Sequence, residues 1–145
     1  MPSHVERRNL PFAPRQMFDL VADVERYPEF LPHMLATRVT QRDGNTVHVD
    51  MLLGMGILQR RIGSVGVLHP TRRIDIISHD PPFKDFELHW RFEPAAPHGT
   101  TVELRGEFAF RSRFWQRLLD TYFAAEVVAM VEAFEQRARR VHAAS

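Results

Sequence analysis

The chain has 145 residues, no cysteine and a formal net charge of +1, so disulfides and thiolate catalysis are excluded. Hydrophobic residues make up 44% of the chain and charged residues 26%, which is typical of one globular domain and not of a strongly basic DNA-binding domain. The first residues, MPSHVERRNL, lack the apolar core of a secretory signal, and no apolar run approaches the roughly 20 residues of a membrane span. We therefore expect a cytoplasmic protein.

The first part of the chain predicts a strand followed by two helical segments. Residues 5–10 are mixed in polarity and are followed by Pro11, which favours a short strand. A helix is predicted over residues 13–25, because Pro14 suits a first helical turn and apolar residues recur at spacings of three and four. Pro28 should end this helix, and residues 26–33 predict a second, short helical turn.

From residue 35 the apolar period changes to two, which predicts antiparallel strands. Strands are predicted over residues 35–41, 47–55 and 57–68, around Ile74 and Ile76, and over 86–94 and 101–110, with a hairpin turn at 43–45. In the last two strands one face carries aromatic and aliphatic side chains and the other carries charged ones. The predicted sheet therefore has a single apolar face.

The last predicted element is a long helix that Ser112 caps and that continues to about Arg140. At about 1.5 Å per residue it is roughly 40 Å long, enough to cross a whole sheet. The sheet and the helix must pack on each other through their apolar faces, which makes an enclosed cavity geometrically available. The helical stripe consists of Leu119, Phe123, Val127, Met130, Phe134, Ala138 and Val141, widened by Trp115, Leu118, Tyr122 and Val131.

Three stretches carry a resemblance to a known family: LVADVERYPEFLP at residues 20–32, WRFEP at 90–94 followed by TVELRGEFAF, and MVEAFEQRA at 130–138. Together with the order of elements, they resemble the START-like superfamily of polyketide cyclase and lipid-transport domains. Within it the chain is similar to the coenzyme Q-binding protein family, which overlaps the bacterial ribosome-association toxin family. Family members often continue FLP with Trp and Cys, whereas His33 and Met34 follow here.

The resemblance implies a single domain over residues 1–145 with an α+β helix-grip fold. In that fold a curved antiparallel sheet of about six to seven strands wraps a long C-terminal helix, and two short helices follow the first strand. It also implies an apolar cavity that holds ubiquinone or another prenyl lipid and needs no cofactor. The segment VERYPEFLP is then interpreted as a wall and lid of the cavity mouth, with the Tyr27 hydroxyl available to a quinone carbonyl. The alternative is that its aromatic residues are ordinary core.

Two sets of site residues follow from this interpretation. The predicted cavity and lid residues are Tyr27, Phe30, Leu31, Met34, Trp90, Phe92, Phe108, Phe110, Tyr122, Phe123, Glu126 and Met130. The residues predicted to touch a membrane surface or phosphates are Arg60, Arg61, Phe83 and Arg113, with Phe83 as a membrane-inserting loop tip. No metal site is predicted, because His69, His79 and His89 lie in different segments without the spacing of metal ligands.

Three functions are compatible with these features. The leading one is a carrier of a prenyl quinone or another apolar small molecule that docks transiently on the inner face of a membrane and supports respiratory electron transport. The toxin-like relatives imply a second, binding to the large ribosomal subunit with a block of subunit association. The superfamily implies a third, a polyketide cyclase or aromatase, for which the sequence nominates no catalytic acid–base pair.

Overall fold

The computed structural model describes residues 3–31, 33–55, 58–81 and 83–142. Two of its elements are α-helices, α1 (Pro14–Ala22) and α2 (Arg113–His142), and a short 3₁₀ helix spans Val24–Glu29. The strands are β1 (Ser3–Leu10), β2 (Met34–Asp43), β3 (Thr46–Met55), β4 (Leu58–His69), β5 (Arg73–Ser78), β6 (Phe83–Ala95) and β7 (Gly99–Phe110).

Over the described residues these strands form one antiparallel, seven-stranded sheet in the order β1-β7-β6-β5-β4-β3-β2. The predicted alternation is confirmed in β6 and β7, because Phe86, Leu88, Trp90 and Phe92 are buried, as are Val102, Leu104, Phe108 and Phe110. The expected helix-grip architecture is confirmed as well. The sheet is open and curved, α2 packs on β1 and β7, and α1 with the 3₁₀ helix covers the strands further along.

Gly106 sets the distance between α2 and the sheet. A side chain at this position would place its Cβ 2.8 Å from a methyl carbon of Val127 and 2.8 Å from the ring of Phe108. Such distances lie well inside van der Waals contact, so the glycine lets the helix approach β7 closely. The helix itself begins as predicted, because the Trp115 amide donates to the Ser112 hydroxyl over 3.5 Å in the manner of an N-cap.

The predicted helical boundaries near residue 25 are wrong in detail. Helix α1 ends at Ala22, three residues before the predicted end, and the following turn is a 3₁₀ helix that starts at Val24 and contains Pro28. Pro28 lies in the last turn of this short segment, where its missing N–H removes at most one intrahelical hydrogen bond. The end of the predicted lid at Pro32 and the predicted start of a strand at residue 57 lie outside the described residues.

The 3₁₀ helix is tied to α2 by one arginine. Arg137 donates from Nη2 to a Glu29 carboxylate oxygen over 2.8 Å, and its guanidinium lies 5.0 Å above the ring centroid of Phe30. The hydrogen bond from this arginine, helped by its charge, lowers the pKa of Glu29. The contact ties the predicted lid segment to the C-terminal part of the long helix.

The predicted apolar stripe of α2 is correct for its central turns and wrong at both ends. Phe123, Val127 and Phe134 are buried, whereas Trp115 and Leu118, which were expected to widen the stripe, are 45% and 57% exposed. At the other end of the stripe Val141 is 50% exposed. The first turn of the helix nevertheless contacts β7, because the Gln116 side chain accepts from the Phe110 amide and donates to the Phe108 carbonyl. Among the described residues, no helix is long and apolar enough to cross a membrane.

Candidate ligand-binding cavity

An apolar cavity of about 130 Å³ lies between the concave face of the sheet and α2. Strands β3, β5, β6 and β7 supply one wall, α2 supplies the opposite wall, and the 3₁₀ helix with the start of β2 closes one side. The described lining residues are Tyr27, Leu31, His33, Met34, Met51, Leu53, Ile76, Phe83, Phe86, Leu88, Trp90, Phe108, Tyr122, Phe123, Glu126, Val127, Ala129, Met130 and Phe134.

Packed aromatic rings form the floor of this cavity. Trp90 and Phe134 are each 1% exposed and meet edge to face with ring centroids 4.9 Å apart. Phe134 makes similar contacts with Tyr27 at 5.4 Å and with Phe30 at 5.0 Å. These geometries are the favourable ones for aromatic pairs, so the rings of the floor stabilise one another.

The mouth is marked by lining residues that keep contact with solvent. His33 and Glu126 have side chains that are 46% and 24% exposed, and Tyr122 beside them is half-buried. The His33 Nε2 atom lies 3.3 Å from a Glu126 carboxylate oxygen, and its Nδ1 atom lies 3.2 Å from the carbonyl oxygen of Gly54. The His33 ring also meets the ring of Tyr122 at 6.2 Å. Polar groups therefore cluster where the apolar cavity opens.

The surroundings of the cavity mouth raise the pKa values of two of its side chains, Glu126 and Tyr122. Partial burial raises the pKa of Glu126 above its ordinary value, although the charge of His33 opposes this effect. Burial, with the nearby charge of Glu126, also raises the pKa of Tyr122. The sequence did not predict this contact between a histidine and a carboxylate at the cavity mouth.

The structure brings most of the predicted cavity residues together. Nine of the twelve lie in the lining, namely Tyr27, Leu31, Met34, Trp90, Phe108, Tyr122, Phe123, Glu126 and Met130. Three lie outside it. Phe30 packs on the outer side of Phe134 under Arg137, Phe92 contacts Phe18 of α1 at 5.8 Å, and Phe110 packs on Phe83 at 5.0 Å. Whether the nine bind a ligand stays a prediction.

The Tyr27 hydroxyl does not have the predicted role. It donates its hydrogen to the carbonyl oxygen of Val21, at the end of α1. A phenol has one O–H, so this group has no second hydrogen for a quinone carbonyl. Burial raises the pKa of Tyr27, with a smaller contribution from Asp23, and keeps the phenol neutral. The side chain serves as part of the cavity wall.

Of the four residues predicted to contact a membrane surface or phosphates, one is buried and three are exposed. Phe83 is 1% exposed, begins β6 and contacts Phe86, Phe110 and Phe123, so the prediction of a membrane-inserting loop tip is wrong. The two prolines before it suggested a loop, but the strand already starts at this residue. The arginines at 60, 61 and 113 are exposed, as surface contacts would require.

Several lining residues were missed by sequence reasoning. Ile76, Phe86 and Leu88 belong to the predicted apolar face of the strands, and Val127 and Phe134 to the predicted helical stripe, but nothing in a two-residue or helical period separates a cavity wall from solid core. The sequence drew attention to His33 only because family members often have tryptophan at that position. Its pairing with a residue 93 positions further along the chain depends on tertiary structure.

A second cluster of titratable groups lies on the convex face of the sheet. His89 Nδ1 is 2.7 Å from Asp75 and His89 Nε2 is 2.9 Å from Glu87, and ligand atoms of Glu87, His89 and Glu107 lie within 4.8 Å of one another. Partial burial lowers the pKa of His89, but the hydrogen bonds and charges of Asp75 and Glu87 outweigh it and raise the pKa overall. Each ring nitrogen of His89 thus faces a carboxylate oxygen, and the cluster lies on the opposite face of the sheet from the cavity.

Comparisons with known proteins cover almost the whole chain. A family model for "Polyketide cyclase / dehydrase and lipid transport" matches residues 10–135. The ribosome association toxin RatA of Pseudomonas aeruginosa is 30% identical over 143 residues, which are 98% of this chain and 99% of that protein. The mitochondrial coenzyme Q-binding protein COQ10 homolog B of Xenopus laevis is 28% identical over 142 residues, which are 94% of this chain and 58% of that protein. The crystal structure of the Zhui aromatase/cyclase from a Streptomyces species superposes with a TM-score of 0.89 at 17% identity, over 99% of this chain and 98% of that one.

Proposed function

Because the chain belongs to the polyketide cyclase/dehydrase and lipid transport family, we propose that it binds ubiquinone or a related prenyl lipid in its cavity and carries it in support of respiratory electron transport. The observation that carries this proposal is the vacant, almost entirely apolar volume of about 130 Å³ between α2 and the sheet. An engineered apolar cavity of about 150 Å³ stays dry and binds benzene, so a volume of this size has affinity for a small hydrocarbon group.

Burial of the ligand's hydrocarbon part against apolar walls is sufficient for a carrier to hold it. Burial of one methylene group contributes about 0.8 kcal/mol, so one five-carbon prenyl unit contributes roughly 3–4 kcal/mol. No nucleophile and no metal is required to hold the ligand. The mitochondrial relative is named for coenzyme Q binding, which supports this ligand class for the present chain.

The most direct experiment is native mass spectrometry of the purified protein, together with organic extraction and analysis of the extract. We expect a bound species with the mass of a prenyl quinone or a related lipid. A purified protein without bound lipid that also fails to take up an added short-chain quinone would contradict the proposal.

The start of α2 supports transient membrane docking. Phe114, Trp115 and Leu118 are 66%, 45% and 57% exposed, and Leu118 is one helical turn before Tyr122 at the cavity mouth. Residues 108–119 contain arginines at 111, 113 and 117 and no acidic residue. Aromatic side chains favour the membrane interface, and each nearby arginine contributes about 1 kcal/mol at an anionic surface. This surface would orient the mouth toward the lipid.

Vesicle flotation tests this docking. The wild-type protein should bind vesicles of anionic phospholipid more strongly than vesicles of phosphatidylcholine, and added salt should weaken the binding. A variant with serine at 114, 115 and 118 should lose at least tenfold in affinity, because its apolar contacts are gone. The matched control carries serine at the exposed apolar positions Val5, Leu35 and Val141 and should bind normally. Equal losses in the two variants would contradict a dedicated docking surface.

Ribosome association is the second candidate function. It is favoured by the relative that is named for it, which is 30% identical over nearly the full length of both chains. A contact with ribosomal RNA phosphates must weaken as salt rises, because counterions are released on binding. Co-sedimentation with purified large subunits at low and high salt tests it, and absence of binding at low salt would exclude it. The similarity to the aromatase/cyclase, at 17% identity, supports the shared fold alone, so its reaction is not proposed for this chain.

A further inference from the structure

His33 and Glu126 share a proton at the cavity mouth, as their hydrogen-bonding partners require. The carbonyl oxygen of Gly54 can only accept, so the His33 Nδ1 atom 3.2 Å away carries a hydrogen. In a neutral ring the Nε2 atom would then be bare. This atom faces a Glu126 carboxylate oxygen at 3.3 Å, and two bare acceptors repel each other at that distance. A proton must therefore lie on one of the two groups.

In either position that hydrogen is donated within the pair, so the pair accepts from a ligand through the free lone pairs of Glu126. It donates to a ligand when the ligand oxygen displaces one partner from the 3.3 Å contact between the two side chains. Partial burial of Glu126 favours the protonated carboxyl, and the adjacent positive charge of His33 opposes it.

The pair also lies at the solvent-exposed mouth of the cavity, through which a ligand would enter. Both residues line the cavity and both keep partial contact with solvent, whereas Trp90 and Phe134 at the floor are 1% exposed. Among the described lining residues, carboxyl and imidazole groups occur at these two positions alone, and the Tyr27 hydroxyl is engaged with Val21. A ligand with one polar end and one hydrocarbon end can satisfy both regions in one orientation.

We propose that the His33–Glu126 pair is a head-group site that binds a ring carbonyl or ring hydroxyl oxygen at the cavity mouth, with the hydrocarbon part of the ligand directed to the floor at Trp90 and Phe134. This inference rests on the proposed function, because it assumes that the cavity takes an apolar ligand. It assigns the ligand class as a small ring that carries an oxygen and an alkyl or prenyl substituent. The hydroxyl of a reduced ring donates to a free lone pair of Glu126, whereas the carbonyl of an oxidised ring accepts the shared hydrogen in place of its partner within the pair.

Fluorescence titration with two matched probes tests the head-group site. The chain has two tryptophans, so a Trp115→Phe background leaves Trp90, which lines the cavity, as the reporter. The probes are hexyl-benzoquinone and hexylbenzene, which share the chain and the ring and differ in the oxygens. We expect this protein to prefer the quinone by about tenfold or more, the usual range for a hydrogen bond to a charged group.

Substitutions then locate the source of the preference. Glu126→Gln and His33→Phe should each remove most of the preference for the quinone while leaving the affinity for hexylbenzene within about twofold, since the apolar walls are unchanged. Glu132→Gln makes the same chemical change at an exposed position of α2 and should leave the preference intact. A second measurement needs no substitution: the ring nitrogen resonances of His33 should shift when the quinone is added and stay in place with hexylbenzene.

The outcomes separate this inference from the proposed function. If neither probe binds, the cavity takes no such ligand and the proposed function fails. If both bind equally, or if the preference survives Glu126→Gln and His33→Phe, the cavity binds a ligand but the head-group site is overturned. If either variant does not fold, unmoved His33 resonances in the unsubstituted protein overturn it.

Discussion

Replacing Leu88 by phenylalanine tests whether the volume between α2 and the sheet is vacant. Leu88 lies in the middle of β6, is 5% exposed and lines the cavity. Its cross-strand partner is Gly106, and the space over that glycine is filled by Val127 and Phe108. A larger ring at position 88 must therefore extend into the cavity that Leu88 lines.

The expected gain in stability follows from the size of the cavity. At about 24 cal/mol per Å³, an empty volume of about 130 Å³ costs roughly 3 kcal/mol relative to a filled one. Phenylalanine adds three carbons to leucine, which at about 0.8 kcal/mol per buried carbon group sets an upper limit near 2 kcal/mol. We expect Leu88→Phe to raise the free energy of unfolding of the ligand-free protein by about 1–2 kcal/mol, allowing for imperfect fit.

Leu104→Phe is the matched control. Leu104 is on the neighbouring strand, is fully buried and lies outside the described cavity lining. The same three carbons there overpack solid core and should lower the free energy of unfolding by about 1–3 kcal/mol. Urea denaturation of both variants measures the difference, and ligand titration should show that Leu88→Phe also weakens binding at least tenfold. If both substitutions destabilise the protein equally, the interior at Leu88 is as solid as at Leu104 and the cavity argument is refuted.

Two further predictions concern stability. His89→Gln should destabilise the protein more at about pH 5.5 than at about pH 9, because a histidine pKa raised by Asp75 and Glu87 contributes stability that is fully present below its unfolded pKa near 6.5 and is lost as pH rises through the folded value. Urea titrations across this range measure it, and a pH-independent loss would contradict the ion-pair role. Phe134→Ala should cost about 3–5 kcal/mol by the same measurement, since it removes a buried ring from the cavity floor, and a cost below about 1 kcal/mol would show that this ring is not closely packed.

The architecture was predictable because its determinants are local and periodic. The alternating polarity of β6 and β7 and the central apolar stripe of α2 each predict one buried face. The hairpin turn, in which Gly44 has a φ of 60°, is predicted by three consecutive residues. The motifs at residues 20–32 and 130–138 carried the family resemblance, which the match over residues 10–135 confirms. These features need no knowledge of which distant residues meet.

The parts that failed depend on distant contacts or on element ends. Trp115 and Leu118 are exposed although they share the helical period of the buried residues, because periodicity does not show where the surface that covers a helix ends. Phe83 follows two prolines, so its local sequence indicated a loop although its ring completes a buried aromatic cluster. Likewise, the sequence does not show whether a tyrosine hydroxyl already has a hydrogen-bond acceptor within the protein. The structure shows that the Tyr27 hydroxyl donates to the carbonyl oxygen of Val21.

The volume of the cavity limits how much of a prenyl chain can be enclosed, and a series of alkyl benzoquinones of increasing chain length measures that limit. If the ring stays at His33 and Glu126 and the chain enters, each added methylene should improve the affinity by about fourfold until the cavity is full. A cavity of about 130 Å³ is close to the size that holds one benzene, so the improvement should stop near about six carbons.

Leu88→Phe should move this break to shorter chains, because its ring occupies the same space. An affinity that keeps rising by the same factor beyond hexyl would refute a cavity of fixed size. It would mean that the walls separate to admit the chain. The 3₁₀ helix closes one side of the cavity and is tied to α2 by Arg137 and Glu29. In that case Arg137→Met should strengthen binding of the long chains selectively, whereas with rigid walls it should leave the whole series unchanged.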